Sequence, residues 1–189
     1  VLLAAYDFTG RNVDGDGLRD FASRLLARVR ALPGVDAAAI ATSVPLDIHG
    51  LPMRAFTIEG RARSDGATEQ ALSNVVTPDY FRTMGIPLRG GADFVDLADR
   101  TTPPQAIVNE EFVRRFLAGA EPLGRGVVNR DRRYVIAGVV RNSLSESFGE
   151  PPTPVIYFSY RDRPSGFGQI HVRTRVGSES LLAPADGDS

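Results

Sequence analysis

The sequence has no cysteine, no tryptophan and no lysine, and only two histidines. Without cysteine there is no disulfide framework and no thiolate metal site. The histidines, His49 and His171, stand far apart and match no H-E-x-x-H spacing, so no histidine-based metal motif is present. All 22 basic residues are arginine. Guanidinium groups bind phosphate in a bidentate manner, but these arginines are scattered and are opposed by 23 acidic residues. The resulting net charge of −1 excludes the basic excess of a general nucleic-acid binder. No stretch approaches the roughly 18 consecutive apolar residues of a membrane-spanning helix, and no signal peptide is visible. The chain opens on Val1 inside a strand-like run. It is therefore expected to be a segment excised from a longer protein, whose missing targeting signals say nothing about its native location.

What is present reads as a globular domain, with 42% hydrophobic and 24% charged residues in a 189-residue chain. Val1 to Phe8 is a strand ending at Thr9-Gly10. Leu18, Phe21, Ala22, Leu25, Leu26, Val29 and Leu32 recur at spacings of three and four, which predicts an amphipathic helix stopped by Pro33-Gly34. A strand over Val35–Val44 follows, so the chain starts as strand–helix–strand and suggests a βαβ unit. Further strands are expected over Arg54–Glu59 and Gln70–Val76. Thr77 reads as an N-cap with Pro78 at the first helical position, Tyr80, Phe81 and Met84 as the buried face, and Gly85 as the stop. Gly90-Gly91 reads as a turn. Ala106–Val108 is a strand, after which Asn109 caps a helix carrying Glu110 and Glu111 in its first turn. Tyr134–Val140 is an unbroken apolar run, the best candidate for a strand covered on both faces. Val155–Phe158 and Gln169–Thr174 complete the set, and 178–189 reads as a frayed tail.

Residue patterns that could carry chemistry do not converge. His49 lies near Asp47 and Ser43, but no nucleophile-elbow motif supports a Ser–His–Asp arrangement. His171 sits in an alternating strand and reads as an ordinary surface or half-buried histidine. Gly85 to Gly91 is spaced like a phosphate loop, yet Ala92 and Asp93 stand where Lys and Ser/Thr are required. Asn12, Asp14, Asp16 and Gly17 resemble the front of a calcium loop. Ser23 occupies the position of its bidentate glutamate, so an Asp/Gly turn into the helix is the better reading. Glu110 and Glu111 point about 100° apart on a helix and do not meet on one substrate. The Pro-rich and aromatic stretch from Phe148 to Tyr160 could offer a contact surface, though a loop entering a core strand is the default.

Four segments in fixed order resemble one family. Val76-Thr77-Pro78-Asp79-Tyr80-Phe81 through Gly85-Ile86-Pro87-Leu88-Arg89-Gly90-Gly91 is similar to the V-x-P-x-Y-F-x-x-x-G-I-x-L-x-x-G-R segment of MacB-like periplasmic domains. This sequence departs at the end, where Ala92 and Asp93-Phe94 replace the usual arginine. Ala106 to Phe116 is similar to V-x-I-V-N-E-x-x-A-R-x-F, Glu121-Pro122-Leu123-Gly124 to D/N-P-L-G-K/R, and Tyr134 to Val140 to x-x-V-V-G-V-V, with Pro154-Val155-Ile156-Tyr157 downstream. The matches cover about residues 70 to 160, and Leu32 to Ala38 fits the same family.

The resemblance implies an α+β, two-lobed fold: a porter-like βαβ lobe from 1–76 plus 150–177, and a smaller inserted α/β lobe over 77–149. It implies a non-catalytic extracytoplasmic domain of an ABC transporter permease in the inner (cytoplasmic) membrane. Such a domain relays conformational change and contacts partner or cargo. The expected partners are a cytoplasmic ATPase domain or subunit, a second permease copy and a periplasmic adaptor, with no nucleic acid and no cofactor. No residue is assigned a catalytic, cofactor-binding or metal-binding role. An exported ligand- or peptide-binding module and a small α/β hydrolase are the alternative readings.

Overall fold

In the computed structural model, which describes residues 1–44, 50–61, 67–143 and 151–175, the first helix starts before its apolar stripe. Helix α1 spans Gly15–Arg30, and Asp14 caps it by accepting a hydrogen bond from the Gly17 amide at 2.8 Å. The run that resembled a calcium loop is thus the helix cap and first turn. Asp16 lies in that turn and pairs with Arg19 at 2.7 Å, while Arg28 and Arg30 sit in the last turn, a distribution that complements the helix dipole. The Leu18, Ala22 and Leu26 stripe is buried as the spacing predicts.

Strand β1 (Leu2–Asp7) precedes this helix and β2 (Val35–Ala41) follows it. They are not neighbours: β10 (Phe167–Thr174) lies between them and pairs antiparallel with both. The expected βαβ unit is therefore split, its two parallel strands separated by the last strand of the chain. Strand β2 is built from Ala37, Ala38, Ala39, Ile40 and Ala41, all essentially buried. Methyl side chains leave room for α1 to pack on one face and a second helix on the other.

Six strands form a closed ring. Strands β3 (Met53–Ile58), β4 (Glu69–Val76), β6 (Gln105–Asn109), β7 (Gly126–Asn129), β8 (Arg132–Val140) and β9 (Val155–Ser159) pair in the order β4-β3-β7-β8-β6-β9, and a parallel β4–β9 ladder closes the circuit. Closure removes exposed sheet edges over most of its length. The β3–β7 and β6–β9 ladders connect residues on opposite sides of positions 76/77 and 149/150. Strand β2 joins the ring at the end of β4, through the Ala41–Val76 pair.

Alternation along the ring strands sorts their side chains into two cores. Phe56, Ile58, Ala106, Val108, Val127, Tyr134, Ile136, Ile156 and Phe158 pack together. Helix α3 (Glu110–Phe112), prolonged as a π-helical turn over Val113–Leu117, adds Phe112, Phe116 and Leu117 to that cluster. Phe56, Phe112 and Phe116 meet with ring centroids 5.0 Å apart in each pairing. Leu72, Ile107, Val140, Val155 and Tyr157 face the other way and are covered by Tyr80 and Phe81 of α2 (Tyr80–Met84) and by Phe94. The apolar run of β8 thus feeds both cores, as a strand covered on both faces should.

Two local expectations need correction. Thr77 does not cap α2; Asp79, in the left-handed region at φ 68°, occupies that place. Thr77 is fully buried, and its hydroxyl accepts a hydrogen bond from the Ile40 amide at 2.9 Å, tying β2 to the end of β4. Gly90-Gly91 is not a free turn but the end of strand β5 (Leu88–Gly91), which pairs with β8. Gly85 does stop α2, at φ 71°, and the Asn109 side chain does cap α3 by accepting from the Phe112 amide. Asn109 goes further. It also accepts from the Val155 amide at 2.9 Å and donates to the Thr153 carbonyl at 2.8 Å, fastening the α3 start to the β9 start.

Candidate functional site

Among the described residues, the side chains singled out in the sequence lie in structural contacts. His171 is 1% exposed in the middle of β10, more deeply buried than a surface or half-buried histidine. Its Nδ1 lies 3.2 Å from the Gln169 carbonyl, and its ring meets Tyr80 edge-on at 5.6 Å. Burial lowers its pKa below the ordinary 6.5, so the folded chain holds it neutral. The unfolded chain takes up this proton as pH falls through 6.5 while the folded chain resists. The His171 contribution to stability is therefore complete above that pH and is lost below it, by up to about 1.4 kcal/mol per pH unit. Urea unfolding at about pH 7.5 and 5.5 should show a larger acid loss for the native chain than for His171→Gln. Equal losses would remove His171 from the acid response.

His49 and Asp47 lie outside the described residues. Ser43 binds through its backbone to the Asn74 side chain, its amide donating to Oδ1 at 3.1 Å and its carbonyl accepting from Nδ2 at 2.8 Å. Glu110 pairs with Arg89 at 3.2 Å and accepts from the Asn142 amide, whereas Glu111 takes Arg114 at 2.6 Å and Arg115 at 3.6 Å. The two carboxylates have separate partners and do not converge. Arg114 holds the Glu111 carboxyl below its usual pKa. Tyr6 and Tyr160 hydroxyls lie 3.1 Å apart, but burial raises both pKa values, so neither supplies a phenolate. Among the described residues no group of three or more His, Cys, Asp or Glu side chains could hold a metal ion. In the stretch that ends at Tyr160, the described strand β9 is buried throughout.

Charge converges at a place the sequence reading did not single out. After β9 the chain turns through Arg161 and Asp162, whose side chains are only 4% and 7% exposed. The Arg161 guanidinium donates to both Asp162 carboxylate oxygens at 3.1 Å and to the Pro103 carbonyl at 2.9 Å, with Asp99 at 3.6 Å. Asp162 also accepts the Gln105 amide at 2.9 Å, the first residue of β6. The Arg161 carbonyl accepts from Arg19 of α1 at 3.0 Å. Asp99 accepts from the amides and hydroxyls of Thr101 and Thr102, which lower its pKa to about 2. Arg100 of the same loop reaches Asp16 at 3.2 Å. One buried ion pair thus links α1, the loop before β6, and the β9–β10 turn. The Arg161-Asp162-Arg163 run was the only sequence signal, and charge runs on turns ordinarily mark solvent.

A shallow cleft of about 360 Å³ opens beside the ring, between β3 and the β7–β8 turn. Next to it Arg163 stacks on Phe158 at 3.7 Å and on Tyr134 at 4.7 Å, and donates to the Tyr134 hydroxyl and to Asn129 Oδ1.

No curated protein matches the chain. Solved structures similar in fold include the periplasmic region of MacB from Actinobacillus actinomycetemcomitans, at 13% identity and TM-score 0.62, covering 95% of this chain and 77% of that one. The extracellular domain of the noncanonic ABC-type transporter YknZ from Gram-positive bacteria gives 11% identity and TM-score 0.57 over 95% and 85% of the two chains. A domain of a putative permease protein from Porphyromonas gingivalis gives 18% and 0.53 over 82% and 69%. The family profile of MacB-like periplasmic core domains matches residues 6–187. With that match running over nearly the whole chain, and the mixed α+β fold shared with these structures, the chain belongs to the MacB-like periplasmic core domains of ABC-type transporter permeases.

Proposed function

We propose that this domain is a non-catalytic relay, tethered to the inner membrane, that transmits conformational change driven by a cytoplasmic ATPase to a partner or cargo outside the membrane. The observation that carries this reading is the pairing of Leu2 with Val172. Leu2 and Val172 lie side by side on adjacent antiparallel strands, which supports a domain inserted between two neighbouring membrane spans. Strands β1 and β10 can then be displaced together. The buried Arg161–Asp162 pair, with Arg19 bound to the Arg161 carbonyl, supports transmission of that displacement from the β1–β10–β2 arm into the ring. A second permease copy and a periplasmic adaptor are the partners proposed for the full-length protein.

The test uses the product of the intact gene in its own cell. A tagged product that stays with the inner membrane and is cleaved within residues 1–175 by protease added from the periplasmic side is the expected result. A product recovered entirely in the soluble fraction, or protected from external protease, would overturn the reading.

A further inference from the structure

Strand β3 is paired unequally along its two edges. Met53 to Phe56 pair with β4, but only Thr57 and Ile58 pair with β7. Toward Met53 the β7 side of β3 has no strand partner among the described residues, because β7 turns away into β8 through Arg130 and Asp131, both in the left-handed region. The Asn129 side chain bridges the gap once, donating from Nδ2 to the Ala55 carbonyl. Backbone groups alternate along a strand, so Ala55 and Met53 point the same way. The Ala55 N–H and the Met53 N–H and C=O therefore face the gap without a ladder partner among the described residues. The gap is the cleft already described, about 360 Å³, walled by Met53, Arg54, Ala55 and Thr57 on one side and by Arg130 and Asp131 on the other. Met53 is 51% exposed.

The cleft also carries unbalanced charge. Arg54, Arg130 and the adjacent Arg163 have no carboxylate partner among the described residues, and Asp131 is the one carboxylate in the lining. Burial lowers the Arg163 pKa, and like-charge repulsion from Arg130 and Arg132 adds to it. Open strand edges bind extended chains through main-chain hydrogen bonds, and unpaired guanidinium groups bind carboxylate through charge-assisted ones. We propose that the cleft between β3 and the β7–β8 turn binds a short extended peptide segment bearing a carboxylate, which adds as a strand to Met53–Ala55 and places its carboxylate between Arg54 and Arg130.

Binding here is measurable on the 189-residue chain in solution, so its failure would leave the membrane reading untouched. The probe is a five-residue peptide of alternating threonine and valine with a free C-terminal carboxylate, compared with its C-terminal amide and with acetate alone. Amide shifts of the isotopically labelled chain are followed by NMR. The carboxylate peptide should move the Met53 and Ala55 amides, and the amide form should bind about tenfold more weakly. The Arg54→Glu/Arg130→Glu variant should lose about the same factor while the other resonances stay in place. Equal binding of the two peptides, identical shifts from acetate alone, or shifts confined to β1 and other sheet edges would each overturn the proposal.

Discussion

Replacing Asp162 by alanine is expected to destabilise the domain by about 3–5 kcal/mol, the usual cost of removing one partner from a buried ion pair. Two penalties add. The Arg161 guanidinium, 4% exposed, loses the carboxylate it grips with two nitrogens and keeps only the Pro103 carbonyl and the more distant Asp99. The Gln105 amide loses its acceptor at the start of β6. For a chain of this length the loss corresponds to a drop in Tm of about 10 °C, read by circular dichroism. Asp162→Asn, which keeps an acceptor oxygen for Gln105 but not the charge, should fall between native and alanine. A Tm unchanged by Asp162→Ala would show that Arg161 is held adequately without it, and would remove the ion pair from the proposed relay.

Gly91→Ala is expected to cost about 3 kcal/mol, while Gly90→Ala, one residue away, should stay within about 1 kcal/mol. Gly91 has φ 74°, which an L side chain adopts at a cost, and a Cβ there would stand 2.1 Å from the Ala137 carbonyl and 2.8 Å from the Gly138 Cα. Gly91 pairs with Gly138 across the β5–β8 ladder. A Cβ on Gly138 would in turn stand 2.6 Å from the Ala92 carbonyl. Neither strand can accommodate a methyl at this crossing. Gly90, by contrast, has open space where its Cβ would be. Urea unfolding of both variants separates the two cases. Equal effects would mean that β5 shifts on β8 without cost and that the close approach does not constrain the sheet.

These two sites also mark where the sequence was and was not legible. The α1 stripe, the Asn109 cap and the Tyr134–Val140 run could be read directly, because each rests on spacing within one segment. Gly85 reads as a helix stop for the same reason, and in the structure it ends α2. Gly91 reads as a turn because its partner, Gly138, lies far along the chain and leaves no local trace. Thr77 reads as a cap from its neighbours, whereas its hydroxyl accepts from the Ile40 amide of another strand. Arg161 and Asp162 carry no local signal of burial, since nothing in the sequence reveals that Pro103 and Gln105 pack against them. The cleft was invisible for a related reason: it exists because β3 changes pairing partners midway.

The sequence by itself determined helix α1, the Asn109 cap and the main apolar strands, the absence of thiolate and histidine metal motifs, and, through four ordered segments, the family. Those properties depend on residue type and short-range periodicity. Tertiary structure alone decided that β10 splits the first βαβ unit, that β4 and β9 close the ring, and that an arginine–aspartate pair is buried where arm and ring meet. The physical reason is that strand partners and buried charge are selected by contacts between residues distant in sequence, whose energies arise only once the chain has brought them together.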